Sequence, residues 1–159
     1  MRLSILLSFW QLHKCRAHVL RSLEGFVARW RAQGRGGADW DEPLAIGFLV
    51  TLVTRLAQRF AGPLETDALG SLQGELWARF TGLPPEPLGE RLVLLSAGQD
   101  PRFVEGCRRA LIFAAALDAD SNAMGASPDT ESMDTAPPVH AAGQRDLAEL
   151  WDSLLADSR

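Results

Sequence analysis

The chain has 159 residues, 47% of them hydrophobic and 23% charged, and a formal net charge of −4. This length and apolar content suffice for one packed domain with a tail, but not comfortably for two domains. Only two cysteines are present, Cys15 and Cys107, which is too few for the disulfide framework of a small secreted protein. We therefore expect a cytoplasmic protein, with the periplasm as the alternative location.

The charges divide the chain into two physically different parts. Residues 1–117 contain 14 basic and 11 acidic side chains, whereas residues 118–159 contain 2 basic and 9 acidic ones. Seven of the basic residues lie in 1–37, but no aromatic ladder or helix-turn-helix pattern accompanies them. They fit a solvated helix face, so we expect no nucleic-acid partner. The apolar run Leu3–Trp10 is too short for a membrane span and lacks a cleavage site, which predicts a helix end at a subunit interface.

Helical periodicity predicts the main elements of a domain over residues 1–120. A first helix runs to about Ala32, with a stripe at steps of three and four residues. That stripe consists of Leu12, Cys15, Val19, Leu23, Phe26, Val27 and Trp30. A second helix begins with Asp41 as N-cap and Pro43 in its first turn. Its residues 44–60 are apolar nearly all round, which predicts a buried helix or one held between subunits.

Two further helices complete the predicted body. Gly62-Pro63 ends the second helix, and a third carries the stripe Leu69, Leu72, Leu76, Trp77 and Phe80. The last one begins at Asp100-Pro101, where an N-cap residue precedes a first-turn proline. Its predicted apolar face consists of Phe103, Val104, Cys107, Leu111 and Ala114.

Residues 82–97 are predicted to form a small edge β-hairpin. The stretch Gly82–Gly89 contains three prolines, and the run Leu92–Leu95 is short and bounded by turn residues. The expected fold class is therefore α+β and predominantly helical. It comprises four to five helices and this hairpin, plus a detached C-terminal amphipathic helix.

Residues 121–142 are predicted to be a flexible linker, because Asp, Ser, Gly, Pro and Ala offer little apolar surface to bury. The linker begins with Ser121-Asn122-Ala123 directly before Met124. Ser-Asn-Ala before methionine is the remnant that many expression vectors leave after tag cleavage. We therefore expect that two polypeptides are joined here, the second beginning at Met124; a natural linker containing this tetrapeptide by chance is the alternative.

Residues 143–158 are predicted to form an amphipathic helix that binds a protein surface. Acidic residues lie away from its apolar side, and Trp151 is the expected anchor in a groove. Alone, so short a helix is only marginally stable, so its binding surface must supply the stability. The alternative is that it is the last core helix of the domain. The predicted partner-binding residues are Leu147, Leu150, Trp151, Leu154 and Leu155.

Motifs for chemistry are largely missing from the sequence. There is no Gly-rich phosphate loop, no nucleophile elbow and no Cys-x-x-Cys pair. On a helix, Cys15 and His18 share a face while His13 points elsewhere, and two ligands do not make a metal site. We therefore expect no catalytic residues, no cofactor and no metal, and a protein that is not an enzyme.

Residues 21–118 contain an ordered series of sequence features. A helix closes on Arg55–Phe60, Pro63-Leu64 follows, and Leu72–Leu76 leads to Trp77. The order continues with Gly89–Leu95 as a strand after a turn, and with Asp100–Gly106 opening a helix that ends in Ala-Leu-Asp. This order resembles the D subunit of bacterial cellulose synthase complexes.

The resemblance implies a non-catalytic subunit that forms a ring-shaped octamer of helices and short strands. Such an assembly organises cellulose synthases so that glucan chains leave as ordered fibres, and β-glucan itself is a candidate contact. It works with small scaffold proteins, which implies that the segment after Met124 is a piece of such a partner. The competing hypothesis is a small acidic helical chaperone or adaptor for assembly or secretion, which binds amphipathic helices.

Overall fold

The computed structural model describes residues 2–32 and 39–125, and these residues are helical almost throughout. The elements in chain order are α1 (Arg2–Ala32), a short 3-10 helix (Asp39–Asp41), α2 (Pro43–Ala61), α3 (Thr66–Thr81), α4 (Glu86–Ala97) and α5 (Pro101–Gly125). The predicted helical character is confirmed. The predicted α+β class is wrong for this part of the chain, because none of its residues lies in a β-strand.

Helix α2 lies at the centre of the fold and packs lengthwise against α5. Gly47 meets the backbone of α5 at Phe103 and Cys107, while Arg59, three turns later on α2, forms an ion pair with Asp118. Because the contacts advance along both helices in the same direction, α2 and α5 are parallel. Most α2 residues are buried, as expected for a helix that is apolar nearly all round.

The α2–α5 packing is close because each helix presents a glycine to the backbone of the other. A Cβ atom on Gly47 would lie closer than 3.0 Å to the carbonyl oxygen of Phe103. A Cβ atom on Gly106 would meet the carbonyl oxygen of Leu44 in the same way. Two helix backbones approach this closely only where side chains are missing.

Helices α1 and α3 cover the remaining sides of α2. The α1 stripe contributes Cys15, Val19, Leu23 and Val27 to the core, as predicted; Leu12, Phe26 and Trp30 lie outside the described side chains. Leu72, Leu76, Trp77 and Phe80 of the α3 stripe are also buried. Burial raises the pKa of the Cys15 thiol, whose Sγ atom donates a hydrogen bond to the carbonyl oxygen of Ala57.

The predicted hairpin at residues 82–97 is helix α4, preceded by a short proline-rich turn. Pro85 occupies the N-cap position and Pro87 the first turn, where a missing N–H group disrupts no helical hydrogen bond. Leu88, Leu92 and Leu95 recur at helical spacing; Leu88 is buried, and the other two pack against the core. The prolines that argued against a helix therefore begin one.

Two other details concern the helix N-termini. Asp41 was the predicted N-cap of α2, but Glu42 occupies that position without a side-chain capping bond, and Asp41 belongs to the 3-10 helix. At α5 the prediction is confirmed, since Oδ1 of Asp100 accepts hydrogen bonds from the backbone N–H groups of Arg102 and Phe103.

Helix α2 is also long and apolar enough to cross a membrane by length and composition, and 56% of its most apolar stretch is buried.

Candidate helix-binding surfaces

The predicted partner-binding residues, Leu147, Leu150, Trp151, Leu154 and Leu155, lie outside the described residues. Their role remains a prediction. The described part of the chain instead shows which surfaces of the helical body offer exposed apolar side chains to a helix of this kind. Two such surfaces are present, one on α5 beside α2 and one on α4.

The first surface is a groove between the C-terminal halves of α2 and α5, which we call the α2–α5 groove. It encloses a cavity of about 400 Å³, open on one side. Small side chains on α5 leave this space, and arginines of α2 border it. The residues that define the groove are Arg55, Arg59, Leu111, Ala114, Ala115 and Asp118.

Of the two arginines that border the α2–α5 groove, Arg59 forms an ion pair with a described residue and Arg55 does not. Nη1 of Arg59 lies 2.5 Å from Oδ1 of Asp118, an ion pair that joins the two helices across the groove. Arg55, one turn earlier on α2, is exposed and has no ion-pair partner among the described residues. An exposed guanidinium at the border of a cleft lined by both charged and apolar side chains is suited to bind a carboxylate of an incoming segment.

Helix α5 extends the groove with a strip of exposed apolar residues. Val104 and Leu111 were predicted to belong to the buried face, but their exposed fractions are 52% and 44%. The buried face contains the predicted Ala114 together with Gly106, Ala110 and Phe113, and Phe103 is partly buried against the core. Gly106 and Ala110 could have identified the buried face from the sequence. The close approach of α5 to α2 requires small residues there, so Val104 and Leu111 lie on the solvent side.

The second surface is the outer side of α4, opposite Leu88. Val93 and Leu94 are each 65% exposed, the largest exposed fractions among the big apolar residues of the described part. Both belong to the run that the sequence predicted as a strand of a small edge hairpin. An outward apolar pair on a packed helix is a candidate contact surface for another helix or subunit.

A smaller cavity of about 260 Å³ lies between α3 and the start of α4. Trp77, Leu83 and Leu88 supply its apolar lining, and Asp41 and Arg91 border it. Nη1 of Arg91 donates a 2.6 Å hydrogen bond to Oδ1 of Asp41, and Nη2 donates to the Asp41 carbonyl oxygen. This cluster joins α4 to the 3-10 helix before α2, and its charged groups satisfy each other.

The side chains considered for metal binding have separate contacts. Cys15 is in the core, whereas the ring of His18 stacks on Phe60 with centroids 4.7 Å apart, and His13 is exposed. Within residues 2–32 and 39–125, no group of three or more His, Cys, Asp or Glu side chains is arranged to hold a metal ion.

The clearest electrostatic perturbation is at Glu105 on the outer side of α5. Its carboxylate accepts hydrogen bonds of 2.7 Å and 2.6 Å from the Nε atoms of Arg108 and Arg109. These two guanidinium groups lower the pKa of Glu105 to about 2. The cluster is a local ion-pair network of one helix.

The proposed junction at Ser121-Asn122-Ala123 falls within the last turns of α5, which continues to Gly125. The remainder of the predicted linker and the whole of residues 143–158 lie outside the described residues. The division of the chain into a domain, a linker and a partner helix remains a prediction. Comparisons of the chain with models of protein families, with curated proteins and with solved structures found no match.

Proposed function

We propose that the chain is a non-catalytic accessory subunit of a bacterial cellulose synthase complex. In this role it acts in the cytoplasm, forms a homo-oligomer that organises glucan export into ordered fibres, and binds a short helical motif of a scaffold partner. The observation that carries the helix-binding part is the pair of exposed apolar surfaces on α4 and α5. A packed helical body that leaves such surfaces open is suited to bind further helices.

The assignment to cellulose synthesis depends on the order of residues 55–77 and 100–118. These segments correspond to the C-terminal part of α2, to α3 and to α5, which pack around one core. The segment 89–95 gives no such support, because the resemblance implies a strand where this chain has helix α4.

The mass of the protein in solution tests the oligomeric part of this proposal. Light scattering coupled to size-exclusion chromatography should give about eight times the 17.3 kDa of the chain. A monomer at micromolar concentration would contradict the proposal.

In a bacterium that makes cellulose, deletion of the gene should disorder the fibres while leaving glucan synthesis in membranes intact.

The second candidate is a small helical chaperone or adaptor that binds amphipathic helices. The acidic composition of residues 118–159 and the helical body favour it. A chaperone of this kind should be dimeric and suppress the aggregation of unfolded client segments. An octamer without this activity supports the scaffold subunit, whereas a dimer that has it supports the chaperone.

A further inference from the structure

We propose that the α2–α5 groove binds residues 146–156 of this same chain as an amphipathic helix, with Trp151 seated over Ala114 and Ala115. This inference rests on the proposed helix-binding function and adds to it the site and the occupant. It holds equally if the segment is native to the chain or a joined partner.

The shape of the groove suits a large anchor residue. Ala114 and Ala115 provide a floor of small side chains, and Leu111 adds an exposed apolar side to it. The cavity of about 400 Å³, open on one side, lies within the usual volume range of pockets that hold drug-sized ligands, so an indole ring fits into it. Tryptophan is the residue type most enriched at the energetic centre of interfaces, and Trp151 lies in the middle of the predicted apolar side.

The spacing of apolar residues also matches. Leu111 and Ala115 are four residues apart on α5, as Leu147 and Trp151 are on the predicted helix. Four residues span about 6 Å along either axis. Leu147 therefore meets Leu111 when the predicted helix lies parallel to α5 with Trp151 over Ala115.

The charges of the segment complement those of the groove. Residues 146–157 contain four acidic side chains, Asp146, Glu149, Asp152 and Asp157, and no basic one. Arg55 at the border of the groove has no ion-pair partner among residues 2–32 and 39–125. Arg91 on α4 is paired with Asp41, and the acidic residues Glu86 and Glu90 lie beside Val93 and Leu94, so α4 offers this segment no available cation.

The length of the connection allows the contact within one chain. Twenty residues, 126–145, join the end of α5 to the segment. A coil of that length has a root-mean-square span of roughly 25 Å. Asp118, at the border of the groove, lies about 10 Å from the end of α5 along the helix axis. Tethering at this distance gives an effective concentration of order mM, so a weak docking helix is held in place.

Photo-cross-linking of the full-length chain tests this docking. Trp151 is replaced by p-benzoylphenylalanine, and cross-linked peptides are identified by mass spectrometry in a mixture of 15N-labelled and unlabelled copies. We expect cross-links to residues 51–59 or 107–118 within one copy. The matched control places the same amino acid at Ser153, on the opposite side of the predicted helix, where no cross-link to the groove is expected.

Cross-links to α4 or α1, cross-links only between labelled and unlabelled copies, or no cross-link would each overturn the proposal. In the cross-linking background, Leu111→Glu should lower the yield roughly tenfold or more, since it places a charge in an apolar contact. Ser71→Glu, which places the same charge at an exposed position of α3 outside both surfaces, should leave the yield unchanged. A yield that Leu111→Glu leaves unaltered would also overturn it.

Arg55→Glu gives a second, electrostatic readout. It should lower the yield several-fold at low salt and less at high salt, because an exposed ion pair is screened. An oligomer of the expected mass without a groove cross-link would overturn the docking alone. A groove cross-link in a monomer would support the docking and contradict the oligomeric subunit.

Discussion

Gly47 and Gly106 determine how closely α2 and α5 approach, because each faces a backbone carbonyl of the other helix. We expect Gly47→Ala and Gly106→Ala each to destabilise the fold by about 2–3 kcal/mol, since the added methyl group meets backbone that has little room to move. Urea denaturation followed by circular dichroism measures the change.

Gly70 provides the matched control for these two substitutions. It lies inside α3, is exposed, and has nothing within 4 Å of the position that a Cβ atom would take. Gly70→Ala should therefore raise the free energy of unfolding by about 0.5–1 kcal/mol, the helix propensity difference between the two residues. A similar response of all three variants would contradict the role assigned to Gly47 and Gly106.

Glu105 predicts a pH dependence at the scale of a single side chain. Arg108 and Arg109 lower its pKa to about 2 in the folded protein, whereas the ordinary pKa of a glutamate is 4.5. The ionised carboxylate thus stabilises the fold above about pH 4.5, and this contribution disappears as the pH falls towards 2. Glu105→Gln should lower stability near neutral pH by less than about 1 kcal/mol, because the pair is partly exposed.

Thermal unfolding of the Glu105→Gln variant between pH 2 and pH 7 checks this expectation. The difference in Tm between the parent and the variant should be largest above pH 4.5 and should shrink as the solution is acidified. Glu90→Gln is the control, since Glu90 is exposed on α4 and has no ion pair among the described residues. A difference that grows on acidification would contradict the sign of the shift.

Helix α4 shows, at the scale of an element, how one stretch of sequence can be compatible with two structures. A run of four aliphatic residues, 92–95, fits a strand or a helix, and the neighbouring prolines favoured the strand. The tertiary contacts decide between them, because Leu88 lies a turn before Leu92 and faces the core. Helices α1 and α3 were predictable because their apolar stripes extend over several turns, and α2 because it is apolar nearly all round between its N-terminal proline and Gly62-Pro63.

Leu88 and Leu94 test the helical geometry of α4 with one type of substitution. The side chain of Leu88 is 5% exposed and that of Leu94 is 65% exposed. Leu88→Ala should cost about 2–4 kcal/mol of unfolding free energy, since it removes a buried side chain and leaves a cavity. Leu94→Ala should change it by less than about 0.5 kcal/mol. Chemical denaturation gives both values, and comparable costs would argue against this orientation of α4.

Helix α5 shows the limit of periodicity for the candidate site itself. Val104 and Leu111 were predicted on the buried face, whereas the residues of α5 that are buried are Gly106, Ala110, Phe113 and Ala114. A hydrophobic pattern weighs residues by apolarity and not by size, so the exposed strip of Val104 and Leu111 was invisible from the sequence. The groove is lined by residues of both helices, so only the packing of α2 against α5 reveals it.

At the scale of the whole molecule, we propose a different contact for each of the two exposed apolar surfaces of the described residues. In the scaffold proposal the outer side of α4 joins one copy to the next, while the α2–α5 groove holds the C-terminal helix. A self-complementary contact buries the same patch on both copies, so a single substitution alters both sides of the contact. The consequence is that the two surfaces should respond independently to mutation.

The double substitution Val93→Glu/Leu94→Glu should therefore lower the mass of the assembly in solution. Two carboxylates on each side of a contact add like-charge repulsion and a desolvation cost, while the fold tolerates them because both positions are exposed. Light scattering measures the mass, and circular dichroism should show an unchanged helix content. Leu111→Glu is the matched control, because it alters an exposed leucine of the groove and should leave the mass unchanged. If Leu111→Glu lowers the mass and the α4 double variant does not, the copies associate through α5.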